Sequence, residues 1–174
     1  MMAVLGLGHD VVDMIAFAEQ LAEPGSRMRQ LFSARELRQA SARAQSKHDG
    51  EAVHLAAKWA GKEAVLKAWD VALADRPAPY TLDNFPWAGI EILDDSRGRP
   101  RVMLMPQVEA DLRRSLSGDL VDGAAVNATA AVDSSENYRW HISLSHDGPI
   151  ASAVVLIIDS SGLACLSPTV TASW

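Results

Sequence analysis

The sequence predicts an α+β fold, and three observations predict it. Near the N-terminus a strand pattern, Val4-Leu5-Gly6-Leu7-Gly8-His9-Asp10-Val11-Val12, runs straight into a helical one. The middle of the chain has helical spacing, with Leu55, Trp59, Leu66 and Trp69 recurring on one stripe. Near the C-terminus, Trp140 to Ser145 and Ile150 to Ile158 flank an Asp-Gly turn at Asp147-Gly148, the pattern of a β-hairpin. Strands at both ends with helices between them fit a small antiparallel sheet packed with helices.

The elements follow in order. A helix begins near Asp13, with Met14, Ile15, Phe17, Ala18 and Leu21 at helical spacing. The glycines before it do not make a dinucleotide-binding loop, because Val11 stands where the third glycine of that motif belongs. Ser33-Ala34-Arg35-Glu36 is a capping-box pattern that starts a second helix. The long helix through Trp59 and Trp69 is broken after its end by Asp75-Arg76-Pro77-Ala78-Pro79. Ile90-Glu91-Ile92 reads as a strand, Asp94 to Pro100 as a turn to the next strand, and Val108 to Leu116 as another helix. Residues 118–137 are acidic and lack bulky periodic apolar residues, so they are expected to form an insertion inside one domain spanning 1–159, with 160–174 a tail.

Composition narrows the class. At 174 residues the chain suits one domain with a sizeable core. No apolar span is long enough to cross a membrane and the N-terminus lacks a signal-peptide layout, so a membrane partner is not expected. The single cysteine, Cys165, can form no internal disulfide, which suits a reducing cytoplasm. A net charge of −6 gives no footing for a nucleic acid. The charge is unevenly spread: from Ser26 to Lys47 the chain carries Arg27, Arg29, Arg35, Arg38, Arg43 and Lys47 against one acid, Glu36.

Three places carry chemistry. In the long helix, Lys62 falls inside the apolar stripe, while Glu63 and Lys67 lie one turn apart on a flank whose other members, Ala56, Ala60 and Ala64, are small enough to leave room for a ligand. An exposed Glu–Lys pair with Lys62 snorkelling to solvent is the plainer reading of the same residues. Asp10, among apolar residues, must be paired, protonated or metal-bound, since an isolated buried carboxylate is very costly. His146 and Asp147 sit at the hairpin turn, where functional groups are often presented, although Asp147 also simply favours the turn. His9 points to the opposite side of its strand from Asp10.

Together these places resemble the holo-acyl-carrier-protein synthases, the small 4′-phosphopantetheinyl transferases. The family's N-terminal pattern G-hydrophobic-G-x-D-hydrophobic-hydrophobic is Gly6 to Val12, and its helix pattern (R/K)-(F/W)-A-x-K-E-A-x-x-K-A is Lys58 to Ala68 without a gap. Its late strand is Ser143-Leu144-Ser145-His146, and its Gly-x-Pro turn is Gly98-Arg99-Pro100. The resemblance runs from about Val4 to Ile158, with the motifs in the family's order and spacing.

The resemblance implies transfer of 4′-phosphopantetheine from coenzyme A to a serine of apo acyl carrier protein, in fatty acid biosynthesis. A serine oxygen attacks the β-phosphorus of a pyrophosphate and adenosine 3′,5′-bisphosphate leaves. Charge develops on phosphoryl oxygens, so a divalent cation is the main electrostatic aid. Mg²⁺ takes oxygen ligands, usually one or two protein carboxylates, and Asp10 and Glu63 fit that demand. Lys62, Lys67, Arg99 and Ser145 are the residues expected to bind coenzyme A. His146 is the expected base, because imidazole titrates near neutral pH, with Asp147 beside it to orient the ring or hold a water. Glu63 acting through a metal-bound water is the rival base. Relatives commonly assemble as homotrimers with active sites between subunits, and the apolar strand Ala153–Ile158 suits either an interface or an ordinary core.

An acidic carrier protein needs a basic docking surface. The family usually carries arginine early in its first helix, where this chain has Met14-Ile15-Ala16, so docking is expected to shift toward Arg27 and Arg29. Two other functions use the same residues: a different Mg²⁺-dependent enzyme of phosphate esters, and a non-catalytic module that binds coenzyme A or carrier protein. Keeping Asp10, Glu63 and Lys67 together argues against a pure binder, which has little need of a metal-organising pair.

Overall fold

A computed structural model describes residues 3–117 and 138–160. The segments expected to form the insertion, 118–137, and all but the first residue of the tail, 160–174, lie outside the described residues. The elements run β1 (Ala3–Asp13), α1 (Met14–Ala22), α2 (Ala34–Lys47), α3 (Glu51–Leu73), β2 (Ile90–Asp94), β3 (Pro100–Leu104), α4 (Pro106–Ser117), β4 (Tyr138–Asp147) and β5 (Ile150–Asp159), with short 3₁₀ turns at Met28–Leu31 and Trp87–Gly89. The strands form two antiparallel sheets: β5 lies between β1 and β4, and β2 pairs with β3. The expected α+β architecture is the one observed.

Local chemistry explains the boundaries. The Asp13 carboxylate accepts from the backbone N–H groups of Ile15 (2.9 Å) and Ala16 (3.1 Å) and so caps α1. Ser33 and Glu36 make the reciprocal bonds of a capping box at the start of α2. Gly148, at φ 54°, sits in the left-handed region at the first loop position of the β4–β5 hairpin, so the strands run to Asp147 and resume at Ile150. The two-residue loop is thus Gly148-Pro149, one residue later than the expected Asp-Gly turn.

Helix α3 is the axis of the molecule and is buried nearly all round. On one side Trp69 and Val65 join Phe85, Ile90, Leu112 and Ile157 in the main core; on another, Leu55 and Ala56 meet Phe17, Phe32 and Ala151. Each large apolar side chain so buried contributes about 1.5–3 kcal/mol. Its alanine stripe does something the sequence did not suggest. A Cβ on Gly8 would stand 1.9 Å from the Ala64 carbonyl oxygen, and one on Gly6 2.0 Å from that of Ala68. The small residues of α3 therefore admit the backbone of β1, and beside Ala64 the space expected to hold a ligand is filled by that strand.

Alternation along β1 sends Gly6, Gly8 and Asp10 inward to α3 and Leu7, His9 and Val11 outward. His9 does point away from Asp10, and its Nε2 lies 3.0 Å from Ser152 Oγ on β5. The outward face is left bare, with Leu7 53% exposed, Val11 51% and Val154 40%. An antiparallel sheet whose outer face meets water is normally polar there, and this one mixes these apolar side chains with His9, Ser143 and Ser152.

Candidate active site

The close packing of β1 on α3 builds the site. Asp10 follows Gly8 by two residues on the inward face of β1, and Glu63 and Lys67 each precede by one residue an alanine that touches the strand. Lys67 Nζ donates to Asp10 Oδ1 at 2.8 Å and to the His9 carbonyl at 3.1 Å. Asp10 is buried, and its Oδ2 has no hydrogen-bond partner among the described residues. A buried carboxylate oxygen left unpaired is costly, so the strand and helix hold an acceptor in want of a partner. Glu63 is half-buried beside it. Burial first, then the Asp10 carboxyl, pushes Glu63 up to about 7, with Lys67 pulling the other way.

A divalent cation fits this arrangement. It would give the Asp10 oxygen a partner and would offset the burial and the neighbouring Asp10 carboxyl that together raise Glu63. Among the described residues no group of three or more His, Cys, Asp or Glu could hold a metal, so the protein offers a carboxylate pair. A pair is what a Mg²⁺ ion that keeps several waters and substrate oxygens takes from a protein.

Lys62 is placed elsewhere. It is fully buried, pairs with Glu36 at 2.9 Å, and donates to the Trp87 carbonyl at 2.7 Å and to that of Ile90. Its ammonium also lies 5.4 Å from the Phe32 ring centre. No ligand phosphate can reach it there, so the expected role of Lys62 in binding coenzyme A is withdrawn. Sequence reasoning missed Glu36 as its partner, because the capping box already gave that glutamate a purpose. One oxygen of Glu36 serves the cap and Lys62, and the other accepts from Ile92 N–H at 3.0 Å.

The hairpin residues stand apart from the carboxylates within one chain. Register places Asp10 opposite Ala153 and Leu144 opposite the same residue from the other side, while His146 pairs with Ala151. His146 is therefore separated from β1 by the whole of β5, roughly 10 Å across two strand spacings. The side chains of Ser145, His146 and Asp147 are exposed and make no hydrogen bond or ion pair among the described residues. His146 and Asp147 also leave opposite faces of β4, so Asp147 does not orient the imidazole here. Arg99 is exposed, tied to its own turn by a 2.8 Å pair with Asp95, and lines a groove of about 360 Å³ between the start of β3 and the middle of β4.

The basic stretch is also less available than its composition suggests. Arg29 is paired with Glu51 at 2.6 Å, Arg35 with Glu91 at 2.9 Å and Arg43 with Asp94 at 3.1 Å. Arg27 and Arg38, both exposed, have no ion-pair partner among the described residues.

The family model of the 4′-phosphopantetheinyl transferase superfamily matches residues 6–147. The holo-[acyl-carrier-protein] synthase of Bifidobacterium adolescentis is 55% identical over 161 residues, covering 88% of this chain and 99% of the relative. That of Corynebacterium efficiens is 36% identical over 154 residues, covering 88% and 94%. Among solved structures, the Chronobacterium ammoniagenes ACPS–CoA complex is similar with a TM-score of 0.69 and 33% identity, covering 90% of this chain and 96% of that one. On the match through both halves of the site and the identity sustained over nearly the whole of these relatives, the chain belongs to the 4′-phosphopantetheinyl transferase superfamily, in its holo-[acyl-carrier-protein] synthase family.

Proposed function

We propose that this chain transfers the 4′-phosphopantetheine group of coenzyme A to a serine of an acyl carrier protein, with a Mg²⁺ ion held by Asp10 and Glu63. The observation that supports the metal reading best is the buried Asp10 Oδ2, which among the described residues has no partner once Glu63, raised to about 7 first by burial and then by its hydrogen bond to Asp10, is ionised. When bound, the cation neutralises charge on the pyrophosphate. The Lys67 side chain, more than half exposed while its Nζ pairs with Asp10, places a further positive charge at the same point for the phosphates. Arg99 offers its guanidinium from the β3–β4 groove, where an anionic part of coenzyme A can lie.

The serine hydroxyl gives its proton to His146. Its oxygen forms a bond to the β-phosphorus, the bond from that phosphorus to the bridging oxygen breaks, and the electron pair leaves with adenosine 3′,5′-bisphosphate. Because His146 and the carboxylates are two strands apart in one chain, the site is completed between two copies. Leu7, Val11 and Val154, apolar side chains exposed on the outer sheet face, support such an assembly, expected to be a homotrimer. Charge on that face is divided too: Arg139 lies toward one end of it and Asp13 and Asp147 toward the other. A second reading, with Glu63 as the base, draws support from its raised value.

The carrier protein docks near Arg27, the cation of the pair expected to serve docking that no acid among the described residues holds. The reaction belongs to fatty acid biosynthesis and to the reducing cytoplasm that a lone cysteine suits. Chromatography of the nucleotide product tests the reaction. Adenosine 3′,5′-bisphosphate should form only when apo carrier protein is present; release without it would favour another phosphate-ester enzyme, and binding without release a non-catalytic module.

A further inference from the structure

The buried polar residues of α2 and α3 do the work of a missing strand. On one side β2 pairs with β3; on the other, its backbone groups bond to side chains. Lys62 donates to the Ile90 carbonyl, Glu36 accepts from Ile92 N–H at 3.0 Å, and Lys58 donates to the Ile92 carbonyl at 2.6 Å. Gln39 accepts from Asp94 N–H at 2.9 Å and donates to the Asp94 carbonyl at 2.8 Å. The pair Lys62–Glu36, at 2.9 Å and fully buried, closes this seam by linking α3 to α2.

The seam matters to the site because of where it grips α3. At about 100° per residue, Lys62 lies roughly 160° around the helix from Ala64, where β1 touches it, and Glu63 projects between the two lines of contact. Apolar packing on both sides of α3 tolerates small slides, whereas the buried Lys62–Glu36 pair and its hydrogen bonds to Ile90 and Ile92 allow one orientation of the helix at this turn. A roll of about 20° would move a carboxylate some 6 Å from the helix axis by about 2 Å. That exceeds the few tenths of an ångström within which an octahedral Mg²⁺ shell tolerates its ligands.

We propose that Lys62 and Glu36 are positioning residues for the transfer reaction: their buried pair fixes the roll of α3 and so holds Glu63 in register with Asp10. The lysine of the Lys-Glu dipeptide thus acts away from the substrate, through its neighbour. This rests on the reading of Asp10 and Glu63 as the metal-holding pair.

The test is Mn²⁺ binding to the metal-free protein, followed by the loss of the free-ion electron paramagnetic resonance signal, so that no turnover is needed. Lys62→Met removes the ammonium and keeps its stem; Glu36→Gln keeps the acceptor for Ile92 and spares Lys62 its backbone partners. Leu112→Ala, in the main core, lowers stability without removing any hydrogen bond or ion pair of the seam. Both seam variants should raise the Mn²⁺ Kd about tenfold with the helical signal kept, and Leu112→Ala should leave it unchanged. If removing the ammonium prevents folding, the Glu36→Gln protein decides. An unaltered Kd in folded Glu36→Gln, or an equal rise in Leu112→Ala, overturns the proposal. If wild type binds no Mn²⁺, or Glu63→Gln binds it as well as wild type, it is the metal reading that fails and takes this inference with it.

Discussion

Gly8 of β1 lies so near Ala64 of α3 that the helix carbonyl occupies the place where a side chain at position 8 would begin. This contact sets the distance between the strand that carries Asp10 and the helix that carries Glu63 and Lys67. A methyl group there meets backbone, which cannot rotate away. Gly8→Ala should therefore cost more than about 3 kcal/mol in urea unfolding, or yield insoluble protein. A variant as stable as wild type would mean that strand and helix are not packed as described.

The carboxyl pair predicts an unusual pH dependence for the metal-free protein. Glu63 titrates at about 7 in the folded state against 4.5 for the ordinary side chain. An acid whose folded value is raised adds stability that is present in full below the unfolded value and is lost as pH rises through the folded one. Metal-free protein should therefore lose part of its stability between about pH 4.5 and 7 through this residue, and Glu63→Gln should flatten that part of the Tm curve. Added Mg²⁺ should raise Tm more at pH 8 than at pH 6, since it binds the deprotonated pair. The same Tm gain at both values would count against the pair as its ligand.

Much of the fold was legible because its signals are local. The Asp13 cap, the Ser33–Glu36 box, the hairpin expected around Asp147-Gly148 and the helix expected over Val108 to Leu116 each rest on residues within a few positions of one another. The grouping of Asp10, Glu63 and Lys67 came from a resemblance in motif spacing, and the structure brings Lys67 to Asp10. Lys62 was misplaced because its partners, Glu36, Trp87 and Ile90, are brought to it by folding from 25 or more residues away. The alanine stripe misled for a related reason: smallness is the same signal whether a ligand or a strand fills the space.

Docking should depend on Arg27 more than on its neighbour. Arg29 is already held by Glu51, and an arginine so engaged has less to offer a partner. Arg27→Glu should raise the KM for carrier protein roughly fivefold to tenfold and leave that for coenzyme A within about twofold, whereas Arg29→Ala should change either little. Steady-state kinetics at low salt decides; a larger effect at Arg29 would show that its pair with Glu51 opens on docking.

The outer sheet face predicts assembly. Leu7→Asp adds a charge where the side chain is exposed in one chain, so the fold should survive while self-association is lost. Light scattering should report a monomer, and turnover should fall by at least about a hundredfold because His146 no longer meets Glu63. Co-expression of Glu63→Gln and His146→Ala chains should restore activity that neither has alone. A fully active monomer, or no recovery in the mixed oligomer, would contradict a site shared between copies.

The most direct measurement of the central claim is the intact mass of an apo acyl carrier protein after incubation with this protein, coenzyme A and Mg²⁺, beside an EDTA control and the Glu63→Gln variant. The account predicts a gain of one phosphopantetheine group with wild type, none with EDTA and none with the variant. A gain that persists in either control would contradict the metal-holding pair, and no gain under any condition would contradict the transferase itself.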